Sequence, residues 1–152
     1  MSPTLRALTA LKAMAAWETG EAALALSSAL AAHHEVESRA QAIAQQAQAI
    51  GQAYGRAAQP GQRLQLAAVS ALSRQASASL EVQGQVAGAL READELVQRE
   101  REVLAQHRSR DESLRKVLRK ERQREEAERA KVEFANLDEL FLARRWTMED
   151  GA

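Results

Sequence analysis

Three histidines, His33, His34 and His107, are the residues of this 152-residue chain that first suggest metal chemistry. Zinc needs three or four ligands within tetrahedral reach. The chain has no cysteine, and no third histidine falls in line with His33 and His107. Their expected role is therefore that of polar residues in a helix seam, which set register at some cost in stability. Asp and Glu together number 21, so acid pairs are plentiful. General acid–base catalysis needs such carboxylates in a cleft that shifts their pKa values, and a thin pair of helices encloses no cleft. Residues 115–124 carry Arg115, Lys116, Arg119, Lys120, Arg122 and Arg124 against Glu121 alone. A basic run of this kind can grip phosphates. These residues, however, are spread around a helix, interleaved with nearby Glu and without aromatics to stack on bases. They read first as a solvated charged face and second as a protein-docking surface. No Gly-rich phosphate loop, nucleophile elbow or metalloprotease motif is present. The sequence predicts a protein that is not an enzyme, holds no metal or other cofactor, and binds no nucleic acid.

The elements behind these residues follow from apolar spacing. Ala22, Leu26, Ala29, His33, Val36, Ala40, Ile43, Ala47, Ile50, Tyr54 and Ala57 recur in steps of four and three. The same steps join Val86, Leu90, Ala93 and Val97, and Leu104, His107, Leu114 and Leu118 continue that line. Each run is one stripe on a helix, stable only against another helix. Aromatics are 3% of residues, there are two prolines, and the formal charge is zero. Such a composition belongs to long helices, and the charge balance gives no global attraction to nucleic acid or membrane. The first twenty residues, interrupted by Arg6, Lys12 and Glu18, lack the apolar core of a leader or membrane span. A soluble, cytoplasmic protein without direct membrane insertion is expected.

The fold class expected is all-α, a long antiparallel two-helix coiled-coil hairpin forming one domain over residues 1–152. Helix one begins near Ser2-Pro3-Thr4, with a hydroxyl cap and proline in the first turn. It runs over about 3–58 and stops at Pro60-Gly61. Residues 59–84, rich in Ser and Gln, form a tip segment with a short helix, or alternatively extend helix two. Helix two covers about 85–146, and 147–152 is a short tail. Facing positions of an antiparallel pair have residue numbers with a constant sum. A sum of 140 sets Tyr54 against Val86, Ile50 against Leu90, Val36 against Leu104, Leu26 against Leu114, Leu8 against Val132 and Leu5 against Ala135. It also pairs Lys12 with Glu128 and His33 with His107. This register leaves 58–82 at the tip and 136–152 as an overhang.

Largely within the overhang lies the most distinctive stretch, Phe134 to Trp146, which holds both phenylalanines and one of two tryptophans. Large apolar groups beside an arginine pair suggest a protein contact. The alternative is a helix end folded back on Leu8, Leu11, Met14 and Trp17. The segment Leu137-Asp138-Glu139-Leu140-Phe141-Leu142-Ala143-Arg144-Arg145, at the end of a hairpin of this length, resembles the FliJ/YscO family. These are stalk proteins of bacterial type III secretion systems, including the HrpO-type proteins of plant-associated bacteria. Members carry a similar acidic pair, bulky residues and a double arginine, and the two-helix layout covers nearly the whole chain.

The resemblance implies a central stalk similar to the γ subunit of F-type ATPases, at the cytoplasmic base of a membrane secretion apparatus. Its paired termini would insert into a hexameric secretion ATPase. The tip would face the export gate membrane protein, and some members also bind export chaperones. Carried over to this chain, the ATPase end comprises Leu5 and Leu8 with Leu137, Asp138, Glu139, Leu140, Phe141, Arg144, Arg145 and Trp146. The gate-facing tip comprises Ile50, Tyr54, Leu64 and Leu72. The Ala-rich, sparsely charged first helix departs from the family pattern. The rival reading from a different class is a generic coiled-coil adaptor or scaffold that binds partner helices.

Overall fold

Two helices account for nearly all of the computed structural model: α1, Pro3–Ala57, and α2, Leu66–Glu149. It describes residues 2–61, 63 and 65–149, with side chains through Arg145. No strand occurs among the described residues, and the class is the all-α helical hairpin expected.

The start of α1 follows from local chemistry. The Ser2 hydroxyl accepts a hydrogen bond from the Leu5 amide at 3.2 Å, satisfying one of the amides a helix leaves unpaired at its start. Pro3 follows in the first turn, where its missing N–H costs nothing. At the other end Ala58 N–H still reaches the Tyr54 carbonyl. Pro60 cannot continue the helix, and Gly61 then takes a φ of 99°, a left-handed conformation that glycine adopts without a Cβ clash. The Gln65 carbonyl accepts from the Ala68 and Val69 amides and opens α2.

Here the structure corrects the expected tip. Residues 66–84 are not a separate segment but the first turns of α2, the alternative that the lack of an internal proline allows. Ala67, Ala68, Ala71, Ala76 and Ala78 are strong helix formers, and once α2 has begun at Gln65 each further residue adds a hydrogen bond at low cost. Only residues 58–65 connect the helices.

The register is corrected with it. The chain divides into two compact units: residues 1–20 with 106–152, and residues 21–105. In the first, the Ser2 amide donates to Glu125 Oε1 at 3.1 Å, and Glu18 accepts from Arg110 Nη1 at 3.0 Å. In the second, His33 Nε2 meets Asp94 Oδ1 at 2.6 Å, and Ile43 and Ile50 share a cleft with Gln75, Ala78 and Val82. Facing residue numbers in these contacts add up to about 126 instead of 140. The difference is two heptads. Sequence matching favours 140, but an eight-residue connector turns α2 back directly onto the end of α1, and this fixes the shorter register. His33 consequently meets Asp94, and His107 lies 3.5 Å from Glu18. Each histidine thus has a carboxylate beside it, and the expected pairing of His33 with His107 is not formed.

The core is a narrow seam. In the first unit it buries Leu5, Ala15 and Leu118, together with Asp111. In the second it buries Ala22, Ala29, Val86, Val97 and Leu104. This register sets Ala22 and Ala29 across from Leu104 and Val97, so small residues on α1 receive larger ones from α2. Between Leu30 and Gln85 no described residue is fully buried.

Candidate docking surface on the C-terminal end of α2

Beyond Glu125 the second helix runs past the start of α1, and every residue from Glu126 to Arg145 is exposed. Helix persists there through local support. Glu125 accepts from Arg129 at 2.9 Å and Glu128 from Lys131 at 2.8 Å, pairs spaced to meet on a helix surface. Because α2 continues as one helix to Glu149, the folded-back alternative does not occur. Met14 and Trp17 lie exposed instead.

The extension carries its large side chains on two faces. Val132, Ala135 and Leu142 continue the phase of the seam. Ala127, Ala130, Phe134, Leu137 and Phe141 form a second stripe at the same four-three spacing, rotated to the far side of the helix. Phe134, Leu137 and Phe141 are 68%, 56% and 81% exposed, values far outside what a monomeric core would leave. Leu140 adds a further exposed group, and Asp138, Glu139, Arg144 and Arg145 lie in the same turns. The expected residues 137–145 are therefore together on one accessible helical segment. Phe134 belongs with them although the family resemblance did not single it out. The signal was present in the sequence, as a three-four rhythm two residues out of step with the seam.

Two expected docking residues are placed otherwise. Leu5 is buried and Leu8 half-buried, since both face α2 and complete the seam. The side chain of Trp146 lies outside the described residues. Of the tip residues, Leu64 also lies outside them. Ile50 and Leu72 are half-buried on the seam near the connector, and Tyr54 is exposed. Beside Ile50 is a shallow cleft of about 180 Å³ lined by Ile43, Ala78 and Val82.

The charged surface of the first unit is largely self-neutralised. Arg115 binds Asp111 at 2.7 Å, Lys116 binds Glu112 at 2.9 Å, and Arg124 lies 3.7 Å from Glu121. Half of the basic run is thus engaged by acids one turn away. The Lys116 hydrogen bond and charge hold the Glu112 carboxyl below its usual range. At Glu125 partial desolvation pushes upward, but hydrogen bonds, one from Arg129, outweigh it and the net shift is downward. Among the described residues no three His, Asp or Glu side chains converge to hold a metal ion. No helix there is long and apolar enough to cross a membrane. No protein-family model, curated protein or solved structure matches the chain.

Proposed function

We propose that this chain is the non-enzymatic central stalk of a type III secretion ATPase complex, of the FliJ/YscO kind. The observation that carries the reading is the exposed C-terminal extension of α2. It presents Leu137, Leu140 and Phe141 among Asp138, Glu139, Arg144 and Arg145, on a helical segment exposed from Glu126 to Arg145. Aromatic and aliphatic anchors flanked by arginines are the groups that dominate protein interfaces once desolvated, and guanidinium forks bind carboxylates bidentately. The docking partner on this reading is the hexameric secretion ATPase. The connector end, with Ile50, Tyr54 and Leu72, is turned toward the export gate, and export chaperones are further candidates for binding. The protein works in the cytoplasm at the base of the secretion apparatus. Leu5 and Leu8 support the docking end from within the seam and do not form its surface.

The exposed outer face of α1, with Met14 and Trp17, favours the second reading, an adaptor that binds partner helices. The two are separated by one experiment. Leu137→Ala with Phe141→Ala should weaken binding to, and stimulation of, the cognate ATPase at least tenfold, since interface anchors cost about 2 kcal/mol or more when truncated. Both side chains are exposed, so helicity and melting should not change. Full ATPase stimulation by the folded double variant would remove the ground for the stalk reading.

A further inference from the structure

The seam of this hairpin fits itself in two ways. A shift of 14 residues is two full heptads and returns every seam residue to the same face of its helix. In the register of the structure Leu26 stands across from Glu100, Ile43 from Gln83 and Lys12 from Leu114. Shifted to a sum of 140, Leu26 meets Leu114, Ile43 meets Val97, Val36 meets Leu104 and Lys12 meets Glu128. The intermediate shift of one heptad is poor, because it sets Leu8 against Glu125 and Leu26 against His107.

The structure also shows where the second register would draw its freedom. No described residue between Leu30 and Gln85 is buried, whereas Val86, Val97 and Leu104 are. Clefts of about 180 and 200 Å³ open along this stretch, lined by Ile43, Ile50, Ala76, Leu80 and Val82. Little packing is lost if the first turns of α2 leave the seam. Gly84 stands where the shifted pairing would end, and a side chain there would meet no atom within 4 Å, so the present packing does not require glycine. At the other end Val132 keeps the seam phase yet is 59% exposed, and the shift would set it against Leu8.

We infer that α2 slides along α1 between two discrete registers, the observed one and one displaced by two heptads, about 21 Å at 1.5 Å per residue. The slide transfers residues 66–82 from the seam to an enlarged tip and draws residues 126–135 of the extension into the seam. It thereby links packing near the connector to the length of the exposed C-terminal end. Movement of one packed helix past another by whole turns is an established kind of switch. The inference concerns the isolated chain and holds whether or not the stalk reading does.

The test uses the full chain with paired cysteines. Val36→Cys with Leu90→Cys reports the observed register, Val36→Cys with Leu104→Cys the shifted one, and Val36→Cys with Val97→Cys the intermediate. Under mild oxidation the 36–90 and 36–104 pairs should each close within one chain, the latter at least tenfold faster than 36–97. Adding Ser70→Ala, Ser73→Ala and Ser77→Ala, which strengthen the helix only where the shifted register releases it, should slow the 36–104 bond severalfold or more. A second measurement avoids covalent trapping and seam substitutions. Spin labels at the exposed positions Ser38 and Glu102 should give two distance populations, one with the labels offset by about 21 Å along the helices and one with them opposite each other. A 36–104 rate no higher than 36–97, a rate indifferent to the serine changes, or a single long distance would overturn the inference.

Discussion

Replacing Asp111 with leucine should make this protein more stable, although it deletes an ion pair. Among the described residues Asp111 is the charged one buried in the seam, 7% exposed, with Leu104 and Leu118 one heptad to either side along α2. Its Oδ2 takes the Arg115 guanidinium at 2.7 Å, but Arg115 is itself largely exposed. Its Oδ1 is buried with no hydrogen-bond partner among the described residues. An orphaned buried acceptor costs about 1–3 kcal/mol, and burying a leucine gains about 1.5–3 kcal/mol. Against these stand the loss of an i,i+4 pair, about 0.3–0.5 kcal/mol, and the strain of fitting a longer side chain opposite Ala15, about 1–3 kcal/mol. The balance favours Asp111→Leu by about 1–2 kcal/mol. The assay is urea unfolding followed by circular dichroism, with Asp111→Asn as the isosteric control. A midpoint raised for leucine and little changed for asparagine supports the reasoning. A lower midpoint for leucine would refute it, showing either that the pair with Arg115 outweighs the orphaned oxygen or that the seam has no room.

Packing should decline toward the connector. Leu104→Ala should cost about 2–5 kcal/mol, as for buried leucines elsewhere, while Leu72→Ala, at a half-buried position, should cost well under half as much; paired unfolding curves measure both. Glu112 and Glu125 have carboxyls lowered in the folded chain. The unfolded chain therefore binds more protons as pH falls, so their contribution is present above the usual value of 4.5 and is lost below it. Melting between pH 6 and 3 should show this loss, and Lys116→Gln should shrink the part due to Glu112.

The helices were legible because the four-three stripe runs unbroken from Ala22 to Ala57 and resumes from Val86, interrupted only at Glu100 and Asp111 before Leu118. Ser2, Pro3 and the Pro60-Gly61 pair marked α1 at both ends by known stereochemistry. The register was not legible, and the reason is physical. Heptad matching is degenerate to shifts of seven, so the choice among registers falls to the connector, whose length depends on whether residues 66–84 are helical. Their Ser and Gln content argued for a tip, while alanines and the absent proline argued for helix, and helix prevailed. Of the candidate site, the exposure of residues 137–145 follows from their place in the expected overhang, while their grouping as a docking segment rests on the resemblance. Leu5 and Leu8 entered the docking set through the resemblance, whereas their spacing already set them against helix two, where the structure holds them in the seam. Phe134 was noticed as part of the aromatic stretch, but its stripe, out of phase with the seam, was not recognised as a face of its own.

Photo-crosslinking inside cells bearing the secretion apparatus tests the stalk reading most directly. A photoreactive amino acid at Phe141 should capture the secretion ATPase, and the same group at Tyr54, near the connector, should capture the export gate and not the ATPase. Capture of the ATPase from Tyr54 but not from Phe141, or of neither protein from either end, would contradict the account.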